Sequence, residues 1–114
     1  MSQPCIFCRI AAKDVPAGIV HEDEDVVAFR DLSPQAPTHV LVIPKRHVAS
    51  LSDMAEADAA LLGAMMLAAK KIALAAGLTG GYRVVTNSGP DGGQSVSHFH
   101  LHVLGGRPMS WPPG

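Results

Sequence analysis

The stretch His98-Phe99-His100-Leu101-His102-Val103-Leu104 alternates imidazoles with apolar side chains. Successive side chains of a β-strand point to opposite faces, so this spacing sets all three histidines on one face. Phe99, Leu101 and Val103 fall on the other face, where they can anchor the strand in a core. Such a strand concentrates near-neutral acid–base and nucleophilic capacity in one place. Three chemistries suit it. Neutral imidazoles can ligate a metal such as zinc, and protonated ones can donate hydrogen bonds to phosphate oxygens. Alternatively, one imidazole attacks phosphorus while its neighbours position the group and move a proton. The bland alternative is an incidental histidine-rich strand face.

The segment just upstream, Ser88-Gly89-Pro90-Asp91-Gly92-Gly93-Gln94-Ser95, favours the phosphate chemistries. Glycines let backbone N–H groups approach an anion with no Cβ in the way. Gln94 and Ser95 add side-chain donors beside the histidines. This is not a P-loop, because no Gly-Lys-Ser/Thr is present and a strand follows rather than a helix. Taken alone, a glycine-rich turn is usually a plain connection.

Further outward, apolar and β-branched runs predict strands over 19–21, 26–29, 38–43 and 82–87. A short helix is expected over 5–14, ended by Val15-Pro16 and Gly18. The clearest helix runs over 54–76, with Leu61, Met65, Ala68 and Ile72 as its apolar stripe. Asp53 and Glu56 resemble a capping box at its start, and Gly77 suits the left-handed position past its end. Strand groups separated by one long helix indicate an α+β domain with a mostly antiparallel sheet. The tail over 105–114, ending Trp111-Pro112-Pro113-Gly114, is neither helix nor central strand.

The 114 residues fit one domain with one ordinary core. With 47% hydrophobic and 17% charged residues the chain is globular rather than disordered. A formal net charge of −1 and no basic stripe argue against a nucleic-acid surface. The longest apolar run, residues 59–69, is too short to span a bilayer, and the N-terminal residues lack a signal-peptide pattern. A cytoplasmic protein with neither a nucleic-acid nor a membrane partner is expected.

At this point the chain resembles the histidine-triad (HIT) superfamily, whose motif is His-φ-His-φ-His-φ-φ. The resemblance extends over Asp31-Leu32-Ser33-Pro34-Gln35-Ala36-Pro37-Thr38-His39, Val42-Ile43-Pro44-Lys45, Gly81-Tyr82-Arg83, Asn87, Asp91-Gly92-Gly93-Gln94-Ser95-Val96 and the Trp-Pro-Pro-Gly tail. Together these look like the Hint branch, the purine nucleoside phosphoramidases. The resemblance implies a five-stranded sheet with one long and one short helix, forming a homodimer through the long helix and a sheet edge. The tail 105–114 would then lie near the partner's active site.

It also implies roles for individual residues. His100 would attack the α-phosphorus of a purine nucleotide conjugate (AMP or GMP), giving a nucleotidyl-histidine that water hydrolyses. His102 would contact the phosphate, and His39 and His98 would complete the network that orients His100. Ser95, Gln94, the Gly93 backbone and Asn87 would surround the phosphate or leaving group. Asp31 would take the ribose hydroxyls, with Leu32, Phe29 and Phe7 around the base. Without the resemblance, Asp31 reads as a solvated turn residue, Asn87 as turn chemistry and His39 as a buried structural histidine. No cofactor is required for this catalysis. Dinucleoside polyphosphate hydrolysis, a metal-dependent hydrolase and a non-catalytic nucleotide-binding scaffold are the alternatives.

Cys5 and Cys8 lie outside that site. At this spacing they make half of a zinc site. Some histidine-triad proteins complete such a pair with the histidine of the Pro-Lys-Arg-His turn and the first triad histidine, here His47 and His98. A structural zinc on Cys5, Cys8, His47 and His98 is thus one reading, and two free thiols the other. A thioredoxin-like redox pair lacks its βαβ context.

Overall fold

The computed structural model describes residues 5–114. In chain order it contains helix α1 (Ile6–Ala11), strands β1 (Ile19–Glu22), β2 (Val26–Arg30) and β3 (Thr38–Pro44), helix α2 (Ala59–Ala75), and strands β4 (Tyr82–Val85) and β5 (Leu101–Gly105). The strands form one antiparallel sheet in the order β1-β2-β3-β5-β4. This is the α+β architecture the sequence predicts.

Strands β2 and β3 are apolar on both faces because each face has its own cover. Val26, Ala28, Val40 and Val42 pack with Leu101, Val103 and Phe99 against Met65, Ala68, Ala69 and Ile72 of α2. The intervening Val27, Phe29, Leu41 and Ile43 lie under Phe7 and Ile10 of α1. Period-two alternation therefore sends β3's His39 and β5's His102 to the α1 face. Side chains of this size stabilise by roughly 1.5–3 kcal/mol each when fully buried, so the alternation fixes the register strongly.

The histidine strand is shorter than the motif suggests. The ladder starts at Leu101, which pairs with Val42, so Phe99 would fall opposite Pro44. Proline has no N–H to give a ladder. The Phe99 amide instead donates to the Val48 carbonyl at 2.6 Å, and Thr86 Oγ1 donates to the His100 carbonyl at 2.8 Å. Residues 98–100 keep the alternation without the pairing. Strand β4 likewise stops at Val85 rather than 87.

Helix α2 begins at Ala59, five residues later than the expected start at 54. Short 3-10 turns at Leu51–Asp53 and Glu56–Asp58 precede it. The carboxylate of Asp53 accepts from Ser50 Oγ at 2.7 Å, and that of Asp58 accepts from the Ala55 amide at 2.8 Å. These local bonds compete with helical ones, so the expected Asp53–Glu56 box does not form. The C-terminus matches expectation. Gly77 has φ +73°, its amide donates to Leu74 O, and that of Leu78 donates to Ala73 O, completing a Schellman motif.

Phe99 is 2% exposed within the larger core. Phe99→Ala should reduce unfolding free energy by about 3–5 kcal/mol, read by urea titration, while a leucine there should restore most of it.

Candidate active site and metal-ligating cluster

Three main-chain groups dictate how the imidazoles present themselves. The Gln35 amide, 3.0 Å from His39 Nδ1, can only donate, so Nδ1 is an acceptor. Neutral His39 then carries its hydrogen on Nε2, which lies 2.8 Å from His102 Nδ1. His102 accepts there, so its own hydrogen sits on Nε2. The His98 carbonyl, 2.7 Å from His100 Nδ1, can only accept. His100 Nδ1 therefore donates and Nε2 keeps its lone pair. The rings of His100 and His102 are 5.0 Å apart. One offers a lone pair and its neighbour an N–H.

Position in the sheet explains the pairing. His102 lies opposite Leu41 and His39 opposite Leu104, making the two histidines diagonal neighbours on one face. Asp31 Oδ2 stands 3.5 Å from His39 Nε2, and the Ser33 amide fixes Oδ1 at 2.8 Å. Burial is the first cause holding His39 below the usual imidazole range, partly opposed by Asp31. Burial, then the charges of His100 and His39, bring His102 down to about 4. His102 is therefore neutral at pH 7.

His100, His102 and Ser95 line a cavity of about 240 Å³. Phe7, Ile10, Phe29, Leu32 and Leu41 add apolar walls to the same cavity, and Asp31 also borders it. Among the described residues His100 Nε2 makes no hydrogen bond, and no buried side-chain nitrogen lacks a partner, so Nε2 is open to this cavity. A larger cavity of about 440 Å³ lies by the C-terminal end of α2, bordered by Val20, Arg30, Ile72 and Ala75. Asp31 and His39 border it, but His100, His102 and Ser95 do not, so the chemistry belongs to the smaller one.

The upstream loop differs from the expected phosphate cradle. The Gln94 carboxamide donates to Ala49 O at 2.6 Å and Val96 O at 3.0 Å, and accepts from the Gly89 amide at 2.9 Å. The Gly92, Gly93 and Gln94 amides donate to Gly89, Pro90 and Gly89 carbonyls. Asn87 Nδ2 donates to Gly92 O at 2.6 Å. Gln94, Asn87 and the Gly93 amide thus hold the loop together rather than face the cavity. A Cβ on Gly92 would lie 2.6 Å from Ser88 O, so tight folding is what requires that glycine. The Gln35 amide, Ile10 and Leu41 were not marked by any motif. Leu41 follows from lying two residues beyond His39, whereas no sequence signal points to the Gln35 amide.

His98 turns away from the triad's other two rings. Its Nε2 donates to Pro44 O at 2.9 Å, leaving Nδ1 as a lone pair. That Nδ1 is 3.3 Å from Cys5 Sγ, 3.4 Å from Cys8 Sγ and 3.1 Å from His47 Nδ1, and Cys8 Sγ is 3.3 Å from His47 Nδ1. The expectation that the His98 ring orients His100 gives way here: its carbonyl does so. Four donors around a tetrahedral zinc stand about 3.3–3.8 Å apart, given Zn–N and Zn–S bonds of 2.0–2.3 Å. The observed spacings agree within a few tenths of an ångström, and the His98 Nε2 bond to a carbonyl is the outer-shell contact such a ligand needs. Burial, then Cys5, pushes the Cys8 thiol up to about 11, so a metal would displace its proton.

The HIT domain family model matches residues 12–109. The chain belongs to the HIT family. It is 53% identical to an uncharacterized HIT-like protein of Synechococcus elongatus over 114 residues, all of both chains. A crystal structure of a HIT family hydrolase from Legionella pneumophila superposes with TM-score 0.96 at 53% identity, covering 97% of this chain and 100% of that one. A zinc-bound histidine triad family protein of Mycobacterium smegmatis superposes with TM-score 0.81 at 35% identity, covering 94% and 80%. Among the described residues of this HIT chain no helix is long and apolar enough to cross a membrane.

Unfolded histidine takes up a proton near pH 6.5, whereas folded His102 resists until about 4. The unfolded state thus binds more protons between these values, and stability falls as pH falls through that window. Thermal melts from pH 7 to 4.5 should show the midpoint dropping, with a shallower slope in His102→Gln.

Proposed function

We propose that this HIT protein is a nucleotidyl hydrolase of the Hint type, cleaving purine nucleoside phosphoramidates through a covalent nucleotidyl-His100 intermediate. The observation that carries this reading is the pairing at the cavity wall of an open His100 Nε2 lone pair with a neutral, N–H-bearing His102. His100 Nε2 attacks the α-phosphorus, forming an N–P bond as the bond from phosphorus to the leaving amine breaks and that nitrogen takes a proton. Water then attacks phosphorus, the His100 N–P bond breaks, and a nucleoside monophosphate departs. His102 Nε2–H and the Ser95 hydroxyl hold the phosphate oxygens, and His39 keeps His102 in that tautomer. Asp31 takes the ribose hydroxyls, while Phe7, Phe29 and Leu32 flank the base.

In the same reading one HIT domain spans 1–114 and pairs with a second copy. Met66, Leu67 and Leu74 of α2 are 51%, 58% and 75% exposed, and β4 is an edge strand next to them in the chain; exposed apolar area and a free edge suit a partner. Trp111, 83% exposed, would then reach toward the partner's site. Cys5, Cys8, His47 and His98 hold a structural zinc, with His98 as ligand rather than proton carrier. A reducing compartment, the cytoplasm, keeps both thiols available to it.

Adenosine 5′-monophosphoramidate should be hydrolysed without added metal and in the presence of EDTA. His100→Asn should lower turnover by roughly four to six orders of magnitude, as loss of a covalent nucleophile does, while AMP still binds. Unchanged turnover in that variant would rule out the covalent route. Binding of AMP with no turnover in the wild type would favour the scaffold alternative, and a preference for diadenosine polyphosphates the polyphosphate one. Elemental analysis should find about one zinc per wild-type chain and none in Cys5→Ser/Cys8→Ser.

A further inference from the structure

We propose that Cys5, Cys8 and His47 are positioning residues for the nucleotide site, acting on His100 through Phe7 and His98. The inference rests on the nucleotide and zinc readings above. It goes beyond them by making the two sites one thermodynamic unit.

Two separate paths join the sites. The first is Phe7, which lies between the two cysteines on α1. Its ring meets that of His100 edge-on at 5.2 Å and 87°, that of His98 at 6.0 Å and that of Phe29 at 5.4 Å. Phe7 thus touches the proposed nucleophile, a metal ligand and the wall of the base pocket. The second path is His98 itself. Its ring joins the sulfur cluster through Nδ1 and is pinned to Pro44 O through Nε2, while its carbonyl is the acceptor that orients His100. Any shift of the His98 ring and backbone moves that acceptor.

The helix itself is short. Six residues are far too few for a helix to persist on its own propensity. Only Phe7 and Ile10 of α1 are buried. A metal bridging the four donors ties this turn to His47, beyond β3, and to His98, before β5. Without that bridge, the turn carrying the pocket wall is held by buried Phe7 and Ile10, the partly buried Cys5 and Ala11 beside them, and weak sulfur–imidazole and local bonds. Occupied, the cluster holds Phe7 in place before nucleotide arrives, so less ordering is left for the nucleotide to do.

Linkage makes the coupling measurable from both ends. AMP should bind zinc-loaded protein at least about fivefold more tightly than chelator-stripped protein, and saturating AMP should lower the zinc dissociation constant by the same factor. Zinc affinity is read against a competing chromophoric chelator, AMP affinity by calorimetry. Stripping should speed amide exchange at residues 6–11 while β3 and β5 stay protected. Cys5→Ser/Cys8→Ser should show the stripped AMP affinity with no chelator present. Phe7→Leu should bind both ligands with the coupling factor reduced toward one. With phosphoramidate as substrate, stripping should raise KM more than it lowers kcat.

If both ligands bind and neither alters the other's affinity, the coupling is overturned and the two readings beneath it stand. Loss of protection across the whole sheet on stripping would make zinc a global stabiliser and overturn it too. A wild-type protein that takes up no zinc, or no AMP, overturns the coupling together with the corresponding reading.

Discussion

A main-chain carbonyl can only accept a hydrogen bond and a main-chain amide can only donate one, and in this protein that asymmetry sorts the histidines. Carbonyls of His98 and Pro44 and the amide of Gln35 each engage one imidazole nitrogen. Every remaining nitrogen then has a determined character. His98 is left with a lone pair toward the sulfurs, His100 with a lone pair toward the cavity, and His102, through His39, with a hydrogen. Three chemically identical side chains thus take on three different hydrogen-bonding characters without any change of residue type.

This sorting needs main-chain groups that are not consumed by the sheet. Pro44 ends the β3 ladder, and the Phe99 amide on that side turns to the Val48 carbonyl. Main-chain groups of alternate residues face opposite neighbours, so the His98 carbonyl lies on the β4 side, where pairing stops at Val85, and it is left for His100. Phe99, buried against α2, together with the bonds of its amide and of the His100 carbonyl, meanwhile holds residues 98–100 in place. The site is thus a stretch where side chains keep strand geometry after the backbone has stopped pairing.

The strand alternation and the long helix with Gly77 past its end were legible, because each depends on period or φ preference written in residue types, whereas the gathering of Cys5, Cys8, His47 and His98 followed from the resemblance to histidine-triad proteins. What could not be read depends on main-chain partners. The Gln35 amide on His39 leaves no mark on residue identity, and Pro44 ends the ladder at Leu101 only through a register that the sequence does not state. The late start of α2 turned on Ser50 and Asp58 choosing local bonds over helical capping. Gln94 and Asn87 were misread for a related reason. A polar side chain beside a glycine loop can serve a ligand or the fold, and only the geometry shows that Gln94 gives both N–H groups to the Ala49 and Val96 carbonyls and its oxygen to the Gly89 amide.

Charge adds the last constraint. Among the described residues, Asp31 is the carboxylate beside His39 and His102, and burial outweighs it in holding both below the usual imidazole range. A phosphate set against His102 acts in the same sense as Asp31, favouring the protonated form. Its arrival therefore supplies the condition under which the cluster takes up a proton. Because Gln35 holds His39 Nδ1 as an acceptor, His102 already points a hydrogen at the cavity before any proton is gained. In the nucleotide reading proposed above, an anion would therefore meet a neutral His102 that already offers its N–H, ahead of any proton uptake by His39 or His102.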